Sequence, residues 1–144
     1  LSERVPLVFP IHPRTRARIA ETGLSPLLEN SRIGLTEPLG YLQLLGLMSE
    51  ARVVLTDSGG LQEETTALGV PCITLRENTE RPITVTQGTN TIVGTDVAKI
   101  RACFDDVLAT GGKAGRVPAL WDGRAAERIA VVLSEWAHSR GRAA

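Results

Sequence analysis

The run Thr56-Asp57-Ser58-Gly59-Gly60-Leu61-Gln62-Glu63-Glu64 carries the clearest chemical signal in this chain. It follows Arg52-Val53-Val54-Leu55, a β-branched apolar stretch that predicts a buried strand. It runs into a helix over Leu61–Leu68, with Leu61, Thr65 and Leu68 on one face and Gly69 as the stop. Ser58, Gly59 and Gly60 therefore fall on a tight strand-to-helix turn. Glycines there let a ligand approach the backbone, and the helix N-terminus offers free N–H groups and partial positive charge, which favour a phosphate. Glu64 lies one turn past Gly60 on the same face, where its carboxylate can accept hydrogen bonds from sugar hydroxyls. On spacing alone, the same residues also describe an ordinary β-to-α turn with two convenient glycines.

Two further groups carry polar chemistry. In Arg76-Glu77-Asn78-Thr79-Glu80-Arg81-Pro82, the two arginines could contact a diphosphate, and the segment also fits a solvated surface loop. His12, in Phe9-Pro10-Ile11-His12-Pro13-Arg14, stands just past a predicted strand, although a lone histidine is more often structural.

The elements that must position these groups alternate strand with helix. Val5–Pro10 predicts a strand, Arg14–Glu21 an exposed basic helix ending at Gly23, and Ile33–Leu35 a weak strand. Pro38 is expected at the first position of a helix whose apolar face holds Tyr41, Leu42, Leu44, Leu45 and Met48. After the glycine turn come a strand over Val70–Leu75, the charged loop, a short helix over Ile83–Gln87 and a strand over Thr89–Val93. Asp96 is expected to cap a helix bearing Val97, Ile100, Phe104, Val107 and Leu108, and Asp122 a last helix bearing Ile129, Val132, Leu133 and Trp136 as packing residues. Between them, Gly111–Arg116 is expected to be the most flexible segment. This alternation implies an α/β fold, a parallel Rossmann-like sheet with helices on both faces. Ligands sit beyond the carboxyl ends of such strands. The glycine turn, the Arg76–Pro82 loop and the Pro10–Thr15 loop all follow strands and are expected at one edge.

At 144 residues the chain suffices for one compact domain, and 42% hydrophobic content fits a globular one. Sixteen Lys and Arg balance sixteen Asp and Glu, which argues against a nucleic-acid or membrane partner recruited by bulk charge. Aromatic residues, at 3%, are too few for base-stacking platforms. No apolar run reaches the ~18 residues of a membrane span. Cys72 and Cys103 stand in apolar settings without ligand-spaced partners, so neither a disulfide nor a metal is expected and a reducing cytosol is the default. The missing initiator Met suggests a piece of a longer protein.

Several motifs in register resemble the C-terminal domain of UDP-N-acetylglucosamine 2-epimerases of the non-hydrolysing bacterial type. They are Asp57-Ser58-Gly59-Gly60-Leu61-Gln62-Glu63-Glu64, Leu68-Gly69-Val70-Pro71, Thr79-Glu80-Arg81-Pro82, Gly88-Thr89-Asn90 and Val93-Gly94-Thr95-Asp96. Pro38-Leu39-Gly40-Tyr41 and Asp122–Ile129 are similar to the family's segments at the matching places. The resemblance implies the C-terminal half of a two-domain fold of the glycosyltransferase-B kind, with the site between the domains. It implies that Ser58, Gly59 and Gly60 hold the UDP phosphates and Glu64 the ribose hydroxyls. Arg81, with Glu80 and Arg76 in the same loop, would line the cleft, and His12 would match a His-Pro turn near regulatory UDP-N-acetylglucosamine. It further implies a cytoplasmic homodimer serving cell-envelope polysaccharide synthesis, with no metal or other cofactor. The reaction implied interconverts UDP-N-acetylglucosamine and UDP-N-acetylmannosamine. UDP is eliminated to leave a 2-acetamidoglucal and is then added back.

The chain departs from the family pattern at Ile83, where an acidic residue is usual, and at Leu44, where many members carry Phe. The Gly-His-Arg-Arg-Glu-Asn segment that supplies the domain's first strand and an active-site histidine is not found, nor is the N-terminal domain with its acid/base carboxylates. No residue of this chain is therefore assigned a catalytic role, and the chain by itself is expected to be inactive. The missing strand could lie on another polypeptide, the strands on either side could pair directly, or the sequence could be incomplete. Rival readings are a UDP-sugar glycosyltransferase or hydrolysing 2-epimerase of the same architecture, and a non-catalytic UDP-binding module.

Overall fold

The computed structural model describes residues 1–29 and 32–141. β1 (Leu7–Pro10) leads through α1 (Pro13–Glu21) and α2 (Ser25–Glu29) to β2 (Ile33–Thr36), and the two strands pair in parallel with Leu7 opposite Ile33. After α3 (Tyr41–Ser49) come β3 (Val54–Thr56), α4 (Gly59–Leu68), β4 (Cys72–Thr74), α5 (Pro82–Thr86) and β5 (Asn90–Ile92). These three strands form a second parallel sheet in the order β3-β4-β5, with Val54 opposite Cys72 and Cys72 opposite Asn90. α6 (Val97–Thr110) and α7 (Ala125–Gly141) complete the described chain. Parallel strands joined by helical crossovers are the α/β class that the sequence pattern implies. One continuous sheet is not formed. Among the described residues no ladder joins β1–β2 to β3–β5, so direct pairing of the two groups does not occur.

The core belongs to the second sheet. β4 is buried at every residue. Ile73, Val93, Phe104 and Val107 pack together, and Val53, Leu55, Ile100 and Leu108 close around them. Asp96 caps α6 as its type and place require, its Oδ1 accepting from the N–H groups of Ala98 and Lys99 at 2.8 and 3.1 Å. Those bonds, that of Lys99 foremost, hold the Asp96 carboxyl below the ordinary carboxylate range. Leu1 and Val5 reach the same core, where Arg4 lies over the Phe104 ring and pairs with Asp105.

Local details differ from the sequence pattern where a tertiary or capping contact takes over. α4 ends at Gly69, in the left-handed region with φ 73°, as expected. Its inward face, however, is Gln62, Thr65 and Thr66, all buried, and Leu68 is exposed. Gln62 bonds across to Thr79 and Asn90, Thr65 Oγ1 bonds back to Leu61 and Gln62 of its own helix, and Thr66 Oγ1 is buried without a hydrogen bond, so the expected face of Leu61, Thr65 and Leu68 is inward only in part. α3 begins after Gly40, and Pro38 lies outside it. Gln43 Oε1 accepts the Gly40 N–H at 3.1 Å, which sets the start later. Met48 is buried and Leu44 and Leu45 half-buried, but Tyr41 and Leu42 face outward, Leu42 at 77% exposure.

The Gly111–Arg116 loop is clasped to the sheet, whereas its composition suggested freedom. A Cβ on Gly115 would lie 2.5 Å from the carbonyl carbon of Gly88, so the backbones touch only because no side chain intervenes. Arg116 N–H bonds to Gln87 C=O at 2.8 Å, and Lys113 Nζ donates to the carbonyls of Val85 and Asn90. Asp122 stands two residues ahead of the cap expected of it: its Oδ1 accepts from Arg124 N–H at 3.0 Å, and Arg124 C=O takes the first bond of α7, from Arg128 N–H. The apolar face of that helix is not packed: Ile129, Val132, Leu133 and Trp136 are all exposed, Trp136 by 54%, with Arg140 over its ring at 4.6 Å.

Candidate functional site

The glycine turn is built at the carboxyl end of β3. Thr56, buried at the strand end, accepts the Ser58 N–H on its Oγ1 at 3.0 Å and closes the turn. Ser58 takes the N-cap position with φ −83° and ψ 127°, yet its side chain makes no capping bond. The first intrahelical bond runs from Gln62 N–H to Ser58 C=O. The N–H groups of Gly59, Gly60 and Leu61 thus have no acceptor within the helix. A Cβ placed on Gly60 would meet Ser58 Oγ, at 3.9 Å, so the space beside Gly60 is open.

The charged loop folds against this turn. A Cβ on Gly59 would lie 3.6 Å from Glu80 Oε2 and 3.9 Å from Arg81 Cγ. Arg81 Nε pairs with Glu63 Oε1 at 2.9 Å, and Arg76 Nη2 with Glu80 Oε1 at 3.3 Å. Both pairs are substantially solvent-exposed, so they orient the arginines more than they stabilise the fold. Sequence reasoning missed Glu63. The signal available for it was helical: Glu63 stands four residues after Gly59, on the line of α4 that faces the Arg81 loop. Glu64, half-buried, stands on the next line, above Gly60. Of the loop's two carboxylates, Glu80 lies beside the same helix end and opposes an anion there, whereas Glu77 lies against Gly94.

His12 belongs to the other sheet. It caps α1, with Nδ1 accepting the Arg14 N–H at 3.2 Å, and its side chain is exposed. Among the described residues no hydrogen bond or ion pair joins it to the Ser58–Glu64 turn or to the Arg76–Pro82 loop. Ion pairs and hydrogen bonds thus join the turn to the charged loop, and His12 serves as a helix cap.

Burial pushes the Cys72 thiol up, against lowering hydrogen bonds from Thr65 and Thr74. Cys103 is raised by burial and then by the nearby Asp106 charge. Neither is an activated thiolate. Among the described residues no group of three or more His, Cys, Asp or Glu could hold a metal ion, and no helix is long and apolar enough to cross a membrane. A shallow groove lined by Ala130, Val131, Ser134, Glu135 and His138 lies on the flank of α7 and contains none of the turn or loop residues.

Known proteins resemble this chain in sequence and fold. The profile of the UDP-N-acetylglucosamine 2-epimerase family matches residues 1–134. The UDP-N-acetylglucosamine 2-epimerase of Methanocaldococcus jannaschii is 43% identical over 129 residues, which cover 89% of this chain and 35% of that protein. The enzyme of the same name from Methanococcus maripaludis is 50% identical over 103 residues, 71% of this chain and 28% of its own length. The crystal structure of the M. jannaschii enzyme in complex with UDP-GlcNAc and UDP superimposes with a TM-score of 0.77 over 89% of this chain and 35% of that one. This chain spans about a third of the length of these relatives. With its parallel strands, its glycine turn and nearly all its length accounted for in one profile, the chain belongs to the UDP-N-acetylglucosamine 2-epimerase family.

Proposed function

We propose that this chain is the nucleotide-sugar-binding part of an enzyme that interconverts UDP-N-acetylglucosamine and UDP-N-acetylmannosamine. The observation that carries this is the uncapped N-terminus of α4, with the Arg81 loop packed against Gly59. In this reading the N–H groups of Gly59 and Gly60, with Ser58 Oγ, take the diphosphate, and Glu64 takes the ribose hydroxyls. Arg81 and Arg76 balance the phosphate charge from the loop side, and Glu80 turns aside as the anion enters. Elimination of UDP places negative charge on the leaving diphosphate. Preoriented donors and the helix end stabilise that charge without reorganising. The acid/base carboxylates and the domain's first strand would come from the family's remaining length, so this chain alone does not epimerise. The two separate parallel sheets support that division. In the doubly wound order 3-2-1-4-5-6, β2 and β1 suit positions 3 and 2, and β3, β4 and β5 suit positions 4, 5 and 6. A cytoplasmic homodimer, regulatory nucleotide-sugar binding near His12 and a place in cell-envelope polysaccharide synthesis rest on family membership alone.

Calorimetric titration of the intact protein with UDP and with pyrophosphate tests the site. Gly60→Val should abolish UDP binding, since the open space above Gly60 is where the phosphates would lie. Glu64→Ala removes hydrogen bonds to a charged acceptor, worth roughly 1.5–3 kcal/mol, and should weaken UDP by about one to two powers of ten while pyrophosphate changes little. Equal losses for both ligands would remove the ribose assignment.

A further inference from the structure

Beneath the exposed charges lies a ring of hydrogen bonds that starts and ends on the Arg81 backbone. Arg81 N–H donates to Thr79 Oγ1 at 2.9 Å, and the Thr79 hydroxyl donates to Gln62 Oε1 at 2.6 Å. Gln62 Oε1 also accepts from Asn90 Nδ2 at 3.1 Å. Asn90 Nδ2 donates in turn to Thr84 Oγ1 at 3.0 Å, and the Thr84 hydroxyl donates to Arg81 C=O at 2.7 Å. Donor and acceptor roles are forced around the circuit. The Thr84 hydroxyl is committed to the Arg81 carbonyl, so its oxygen must accept from Asn90. The Asn90 amide is thereby fixed, with Oδ1 accepting from the Thr74 hydroxyl at 2.6 Å. Gln62 must then present its oxygen, and Thr79 must donate to it. Gln62, Thr84 and Asn90 are fully buried. The ring holds Arg81 in an irregular backbone conformation, φ −123° and ψ 59°, just before Pro82 opens α5.

We infer that Gln62 and Thr79 are positioning residues for nucleotide binding, acting through Arg81. Gln62 comes from α4, the helix whose N-terminus forms the glycine turn, and its neighbour Glu63 holds the Arg81 guanidinium. One turn of α4 thus fixes Arg81 twice, by its peptide through the buried ring and by its side chain through the ion pair. The distance from Gly59 to Arg81 becomes a property of a rigid network rather than of a surface loop. A fully satisfied apolar pair of the same shape would fill the space equally well, but would not specify the Arg81 backbone. The buried Gln62 Nε2 has no partner, a cost that the ring's geometry entails.

This inference rests on the UDP reading, and the test separates the two. In the full-length protein, Thr79→Val keeps the side-chain shape and opens the ring, Thr79→Ser keeps it closed, and Gln62→Met removes the shared acceptor. UDP affinity is measured by calorimetry for each, alone and combined with Arg81→Ala. Exchange of the Arg81 amide hydrogen is measured without ligand. Thr79→Val and Gln62→Met should each weaken UDP about three- to ten-fold. Thr79→Ser should bind as the parent does, and neither damaging change should weaken UDP further once Arg81 is Ala. The Arg81 amide should exchange faster in both damaged variants. An undiminished penalty in the Arg81→Ala background, or unaltered amide exchange, overturns the inference. A parent protein that binds no UDP overturns the functional reading, and the exchange measurement still decides whether the ring holds Arg81.

Discussion

The two sheets are made of similar strands and meet opposite fates. In β3–β4–β5 the central strand is wholly buried, α4 and α6 pack on it, and the glycine turn and the Arg76–Pro82 loop are tied to a core of their own. In β1–β2 the strands carry equally apolar residues, yet Phe9 and Leu35 are exposed and Val8 is 52% exposed. Parallel strands are stable when both faces are covered. Within this chain that condition is met for the sheet that carries the glycine turn and not for the sheet that carries His12. The geometry of the Gly59–Arg81 site is therefore decided inside this chain. The surroundings of His12 are not.

The largest expected effect tests that contrast in stability. Phe104→Ala empties the centre of the second sheet's core and should cost about 3–5 kcal/mol in denaturant unfolding. Val8→Ala, on the uncovered sheet, should stay within about 0.5 kcal/mol of the parent. Comparable losses at the two positions would mean that the first sheet is covered in solution by something this chain supplies.

A smaller effect sharpens the contrast within the site. Arg81 is held by Glu63 and by the buried ring, whereas among the described residues the Arg76 side chain pairs only with the exposed Glu80. Arg81→Ala should weaken UDP by about ten-fold or more, on the scale of ~1.5–3 kcal/mol for a charged hydrogen bond, and leave unfolding cooperative. Arg76→Ala should do less. The reverse order in calorimetry would show that the loop is placed differently when nucleotide is bound.

The smallest effect concerns α7, anchored at its first turn and uncovered along its face. The Arg128 fork, followed by the Arg124 N–H, lowers the Asp122 carboxyl to about 2. An unfolded Asp titrates near ~3.9. Because the folded value is the lower one, the stabilising contribution is present above the unfolded value, and it is lost as pH falls from there through about 2. Carboxyl NMR should place the Asp122 midpoint at about 2 in the parent and return it toward the ordinary range in Arg128→Ala. A parent midpoint at the ordinary value would show that the fork does not persist in solution.

What the sequence determined by itself was local. The alternation of strands with helices, the cap at Asp96, the stop at Gly69 and the turn at Ser58–Gly60 are each set by residues within a few positions of one another, so their chemistry is visible in a short window. His12 was legible as a residue just past a strand, and its capping bond reaches only to Arg14. Tertiary structure decided whatever needs distant partners. Gln62 meets Thr79 and Asn90 across 17 and 28 residues, and Glu63 meets Arg81 only when the loop folds back on α4. The glycines of 111–115 signalled freedom and proved to permit contact, because Gly115 meets Gly88 from far along the chain. The α7 face signalled packing and is exposed, because amphipathic spacing specifies a face to be covered and not what covers it. Local pattern encodes conformation; register between strands, loop docking and burial arise only when remote segments compete for the same space.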